Sequence, residues 1–157
     1  MSRSTRATKM LEQAGIPFTL HTYDYEPTAD RIGMQAAEAL GAPPSQVLKT
    51  LLAVVDRKPV CVILPSDCEV AMKKLAAAFN GKAAEMMPAA DAERLSGYKV
   101  GGISPFGQMK RLPTAIEVEA LGHELVYMNG GQRGLQVRLS PNDAQRVLGA
   151  LAVSLVV

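Results

Sequence analysis

The chain has 157 residues, two cysteines, no tryptophan, a formal net charge of +2, and 48% apolar against 20% charged residues. That length supports one ordinary domain with its own core, needing neither disulfides nor a structural metal. The slight charge does not by itself mark a nucleic-acid binder, the 4% aromatic content argues against wide base-stacking platforms, and no apolar run is long enough to span a bilayer.

A first helix is expected after Ser4 as N-cap, with Ala7, Met10, Leu11 and Ala14 as its apolar stripe and Gly15 as its stop. Residues 17–25 read as a strand, with Phe18, Leu20 and Thr22 on one face and His21, Tyr23 and Tyr25 on the other. A short helix over 34–41 ends at Gly41, and Pro43-Pro44 breaks the chain. Two β-rich runs, 46–55 and 59–65, are joined by Asp56-Arg57-Lys58 as a hairpin. Asp67 is expected to cap a helix whose face is Met72, Leu75, Ala76 and Phe79, closed by Asn80-Gly81. Another helix starts near Pro88. "TAIEVE", "ELVYMN" and "GLQVRLS" are further strands. In the last helix Ser140 caps, Pro141 sits at N1, Asp143 favours the positive helix end, and Ala144, Val147, Leu148 and Leu151 form the stripe. Helices and strands mix without strict alternation, which predicts a single α+β domain over 1–157 with a curved mixed sheet or open barrel.

Three places ask for a chemical explanation. Lys49 opens a strand that is apolar on both faces, so its ammonium either snorkels to the sheet edge or guards the mouth of a pocket for an anionic or carbonyl-bearing ligand. The run "VGGISPFGQMKRLP", 100–113, is either a tight connection or a backbone cradle, because Gly101 and Gly102 let N–H groups approach a ligand closely. "NGGQRG", 129–134, is a hairpin loop whose Arg133 is either a solvated turn residue or a phosphate grip, and Lys110 and Arg111 invite the same two readings. Cys61, Cys68, His21 and His123 lack zinc-ligand spacing, so neither a metal nor a cofactor is expected. Neither histidine has an evident carboxylate relay. No nucleophile-elbow pattern surrounds Ser104, and Cys61 reads as core. The N-terminal stretch lacks a secretory apolar segment, and a reducing cytoplasm is the expected compartment.

"HTYDYEP", "QVLKTLLAVV", "GYKVGGISPFGQMKRLP" and "GGQRGLQVRL" together resemble, in order and spacing, the YbaK/EbsC aminoacyl-tRNA deacylases. These are freestanding relatives of the editing domain in bacterial prolyl-tRNA synthetase. The resemblance implies a curved, largely antiparallel sheet forming an open barrel with surrounding helices. It implies metal-free trans-editing of mischarged tRNA, with cysteine removed from the proline tRNA. The family's essential lysine falls on Lys49, a tyrosine on Tyr23, the Gly-Gly loop on Gly101 and Gly102, and the Gly-x-Arg-Gly turn on Gly131, Arg133 and Gly134. Ile103, Ser104, Asn129 and Gln136 complete the implied substrate-binding set, and Lys110 and Arg111 are expected on the tRNA acceptor end. Lys49 would anchor the phosphate or ribose region of the terminal adenosine. The Gly101 and Gly102 N–H groups would hold the ester carbonyl oxygen. The nucleophile would be the substrate's own thiol, leaving as a thiolactone, or else water. Prolyl-tRNA synthetase is the expected protein partner.

The chain departs from that pattern twice. Asn129 stands where relatives commonly carry serine, and Gln136 where they carry an acid. An amide in place of a carboxylate removes charge and adds donors, so alanine or serine remains open as the amino acid removed. A second reading is a module that binds a nucleotide or an aminoacylated end without turnover. The tail "LAVSLVV" either docks on a partner or completes the core.

Overall fold

The computed structural model describes residues 4–26 and 34–157. Helix α1 (Arg6–Gln13) is opened by Thr5, not Ser4. Thr5 Oγ1 accepts from Thr8 N at 3.1 Å and Thr8 Oγ1 accepts from Thr5 N at 2.8 Å. This reciprocal cap satisfies two donors that a helix start leaves open. Ala7 and Leu11 are fully buried, as the stripe predicts. Strand β1 (Thr19–Thr22) stops short of the two tyrosines. Helix α2 (Gln35–Leu40) ends at Gly41, whose φ of 65° a side-chain-bearing residue would resist.

Strands β2 (Leu48–Val55) and β3 (Lys58–Pro65) form the expected hairpin. Asp56 and Arg57 both take positive φ, 48° and 71°, as a two-residue hairpin turn of the I′ type requires. The Asp56 carboxylate holds that turn by accepting from Lys82 N and Ala83 N. Helix α3 (Met72–Ala78) has Ala71 at its N-cap and no side-chain cap. The cap expected from Asp67 does not form, because Asp67 lies four residues upstream of that position and accepts from the Cys68 thiol instead. Strand β4 (Ala84–Met86), helix α4 (Ala89–Ser96), strands β5 (Thr114–Glu117), β6 (Val126–Asn129) and β7 (Leu135–Leu139), helix α5 (Pro141–Leu148) and strand β8 (Leu151–Val153) follow. Ser140 caps α5 through Asp143 N at 3.3 Å. Leu151 lies in β8, not on the α5 stripe, because Gly149 at φ 62° ends the helix first.

Among the described residues the strands form two sheets, β1-β7-β6 and β4-β2-β3-β5-β8. Pairing is antiparallel except at β3-β5 and β5-β8. The fold is therefore mixed α+β, with mostly antiparallel neighbours. A parallel bridge between Val47 and Tyr127 links the two sheets. On β3, Ile63 packs into a core with Phe106, Ile116, Met128 and Val137. Its neighbours Val62 and Leu64 pack into another with Leu75, Ala115 and Leu155. Both faces of the sheet are covered, which is why β2 and β3 read as apolar throughout. The tail completes the core: Leu155 is fully buried and its N–H donates to Glu117 Oε1 at 2.8 Å. Burying one such leucine stabilises by about 1.5–3 kcal/mol.

Candidate functional site

A cavity of about 340 Å³ lies where the start of β2 meets the glycine-rich loop. Lys49, Tyr23, Gly101, Ile103, Asn129 and Gln136 all line it. Met86, Met87, Leu52 and Val100 supply apolar wall. Lys49 is half-buried, and its Nζ donates to the Ser66 carbonyl at a long 3.4 Å. One weak acceptor leaves most of the ammonium's three-donor capacity open. The lysine is therefore at a pocket wall, not merely at a sheet edge.

The loop after α4 is braced, with Gly102 and residues 104–106 buried at its centre. Gly102 N donates to Lys99 O at 2.8 Å, closing a turn. That N–H is spent, so it cannot join Gly101 in a two-donor oxyanion nest. Among the described residues, the Gly101 N–H has no acceptor. The structural need for both glycines is close packing. A Cβ on Gly101, at φ 89°, would lie 2.8 Å from Cζ of Tyr25. A Cβ on Gly102 would lie 2.8 Å from the Arg133 backbone N. Ser104 is fully buried and its Oγ accepts from Phe106 N at 3.2 Å, so it presents no hydroxyl to the cavity.

Two elements hold this loop. Arg6 on α1 donates to Ser96 O and Gly107 O, both at 3.0 Å, and lies over the Tyr98 ring. Asn129, at the end of β6, joins the two glycine loops. Its Nδ2 donates to Gly101 O at 3.1 Å and its Oδ1 accepts from Gly131 N at 2.7 Å. Asn129 thus braces backbone with both ends of its amide. Gly131 accordingly serves the brace, and does not line the cavity.

Gln136, on β7, is different. It is only 4% exposed, and its Oε1 has no protein partner among the described residues. Thr50 Oγ1 is likewise buried, unpartnered and at the cavity wall. Buried polar atoms without partners are costly, so both are natural acceptors for a ligand donor. Burial raises the Tyr23 pKa, assisted by the neighbouring Tyr25, against lowering by the Gly134 backbone and the Gln136 amide. The phenol therefore stays protonated at neutral pH, as a hydrogen-bond donor.

Arg133, Lys110 and Arg111 do not line the cavity. Arg133 lies outside it, its Nε donating to Val100 O at 2.9 Å and its guanidinium 5.2 Å from the Tyr25 ring centre. Lys110 and Arg111 are exposed, and Arg111 reaches Leu148 O on α5 at 3.5 Å. His21 is taken up by Thr19 and by an edge contact with Tyr127. Cys61 is core, with burial pushing its thiol up to about 12. Sequence reasoning passed over Thr50, Tyr25 and Arg6. A hydroxyl in an otherwise apolar strand was the one signal that pointed to Thr50.

The model of the aminoacyl-tRNA editing domain matches residues 26–147. The chain belongs to the aminoacyl-tRNA editing domain family. Within that family it is 34% identical over 141 residues to an Enterococcus faecalis protein named as a Cys-tRNA(Pro)/Cys-tRNA(Cys) deacylase, EbsC, covering 88% of this chain and 85% of the relative. It is 32% identical over 88 residues to the proline–tRNA ligase of Acidithiobacillus ferrooxidans, a match of 56% of this chain and 15% of that longer protein. A crystal structure described as a trans-editing enzyme for prolyl-tRNA synthetase superposes with a TM-score of 0.83 at 22% identity, covering 100% of this chain and 98% of the other. That likeness carries the editing-domain fold. Among the described residues, no helix is long and apolar enough to cross a membrane, and no group of three metal-ligating side chains occurs.

Proposed function

We propose that this chain is a trans-editing deacylase that hydrolyses the ester between a wrong amino acid and the terminal ribose of tRNA. The observation that carries the reading is that Lys49 and Gly101 line one cavity in an aminoacyl-tRNA editing domain. In this reading the whole chain is one editing unit, its two sheets form the halves of an open barrel around the cavity, and it works on cytoplasmic translation without metal or cofactor.

Lys49 anchors the ribose or 5′-phosphate of the terminal adenosine. The Gly101 N–H stabilises negative charge as it develops on the ester carbonyl oxygen. The neutral Tyr23 hydroxyl donates to a ribose oxygen. Gln136 Oε1 and Thr50 Oγ1 accept from the aminoacyl group, Gln136 from its α-ammonium. Ser104 is buried away from the cavity and is assigned no nucleophilic role, and the nucleophile in this reading is the substrate's own thiol or water. With cysteine, the substrate thiol attacks the carbonyl carbon, the ester C–O bond breaks, and the departing ribose oxygen takes the thiol's proton as a thiolactone leaves. With other amino acids, water attacks the same carbon and a free amino acid leaves. Positioning is the enzyme's main contribution in either case.

Cysteine on the proline tRNA is the preferred substrate in this reading, supported by the name of the 34% identical relative. Prolyl-tRNA synthetase is the proposed partner. The unpartnered Oε1 of Gln136 favours a second reading in which alanine or serine is removed instead. Proline tRNA charged in turn with cysteine, alanine, serine and proline tests both. Fastest ester loss from the cysteinyl form supports the first and fastest loss from the alanyl or seryl form the second. Binding with no ester loss from any of them marks a non-catalytic module and ends the deacylase reading.

A further inference from the structure

A second hollow, about 490 Å³, lies outside the cavity and is lined by Tyr23, Asp24, Tyr25, Gln132, Arg133 and Gly134, among others. Tyr23 walls both hollows, so the outer groove begins where the cavity ends. The Arg133 guanidinium in the groove is exposed yet fixed in orientation. Its Nε is tied to Val100 O at 2.9 Å and it lies 5.2 Å from the centre of the Tyr25 ring. Tyr25 in turn sits against Gly101, one of the cavity-lining residues. An exposed planar cation tied at Nε has less freedom left to lose on binding, and guanidinium planes stack nucleobases. Asp24 adds a carboxylate to the groove wall, an acceptor suited to a base's exocyclic amino group and unsuited to phosphate.

We propose that this groove is a nucleotide subsite in which the Arg133 plane, backed by Tyr25, stacks the base immediately 5′ of the acylated terminal adenosine. The assignment rests on the deacylase reading for the direction of the strand: the acylated ribose occupies the cavity and the chain leaves past Tyr23. In a tRNA that base is the penultimate cytosine. Arg133 thereby acts through its flat face and not only through its charge.

Binding of unacylated cytidylyl-(3′,5′)-adenosine is compared with binding of the methyl phosphodiester of adenosine 5′-monophosphate by titration calorimetry. Both carry a singly charged phosphodiester on the adenosine, so their difference reports the cytidine. Wild-type protein should bind the dinucleotide roughly ten-fold more tightly, the scale of one base stacked on a side-chain plane. Arg133→Lys keeps the charge and loses the plane, and Tyr25→Ala removes the support, so each should shrink that ratio toward one. Tyr25→Phe should retain it. Equal wild-type affinities, or a ratio that survives Arg133→Lys, overturns the proposal. Retained dinucleotide preference in a protein that hydrolyses no aminoacyl ester would keep the groove and remove the deacylase reading, so the two fail separately.

Discussion

Asn129 and Gly101, 28 residues apart in the chain, are joined by a hydrogen bond of 3.1 Å from the side-chain amide to the backbone carbonyl. The same side chain accepts from Gly131 N, so one amide sets the spacing between the loops at 100–113 and 130–134. Asn129→Ala should cost about 1–2 kcal/mol of unfolding free energy in urea, because two part-buried backbone groups lose their partner. Deacylation should fall with it. Asn129→Asp keeps the acceptor for Gly131 and loses the donor to Gly101, and should recover part of the stability. Equal stability of the alanine variant and wild type removes the bracing role.

Lys49→Ala should lower deacylation roughly 100-fold or more, the scale of losing a remote anchor that holds the ester in position. Its side chain makes one long hydrogen bond to Ser66 O, so stability should stay within about 1 kcal/mol of wild type. Single-turnover ester loss and urea unfolding on the same preparation check both statements. Wild-type turnover in this variant sinks the assignment of Lys49.

The two glycines should fail differently. Gly102→Ala drives a Cβ onto the Arg133 backbone, which has little room to shift, and should destabilise by roughly 1–3 kcal/mol. Gly101→Ala meets the ring of Tyr25, a side chain that can move, but holds an alanine at φ 89°. It should lose activity out of proportion to its melting temperature. A thermal scan and an ester assay on both variants distinguish the two patterns.

Burial raises the Cys61 thiol from 9.0 to about 12, opposed by lowering from Gln108, Thr114 and the Val62 backbone. A folded-state pKa above the unfolded one means the native protein holds the proton longer. This contribution to stability is fully present below pH 9 and is lost as pH climbs from about 9 toward 12. Tyr98 and Tyr23 are raised in the same direction by burial and share the alkaline slope. Cys61→Val should therefore flatten, without abolishing, the fall of unfolding free energy between pH 9 and 11. An unchanged slope contradicts the burial argument.

Gln136 is expected to read the substrate's amine. Gln136→Leu should reduce the preference for a free aminoacyl ester over its N-acetylated form by roughly ten-fold, the worth of one hydrogen bond to a charged group. Gln136→Glu should raise that preference by adding charge attraction. A ratio indifferent to both substitutions frees Gln136 of this role.

Much of the architecture was legible because local chemistry and tertiary packing agree. The Asp56-Arg57 turn and the Ser140-Pro141 helix start use residues whose backbone preferences match the observed geometry. β4 and β8 were not legible. Ala84–Met86 and Leu151–Val153 have three residues each, too few for a period to show, and they exist through pairing with β2 and β5. Thr5 displaces Ser4 as cap because its hydroxyl also donates to Gly130 O at 2.6 Å, a tertiary contact that no local pattern reports. Lys49, Tyr23 and Gly101 could be singled out as unusual residues in their segments. The spent N–H of Gly102, the bracing by Asn129 and the tie from Arg133 to Val100 could not, because each depends on a partner 3 to 33 residues away.

Tyr23 is a party wall, with the inner chamber on one side and the outer channel on the other. Any replacement there mixes a chemical effect with a recognition effect in one measured rate. Pairing a mononucleoside ester with a longer acylated oligonucleotide separates the two, since only the longer molecule occupies both rooms.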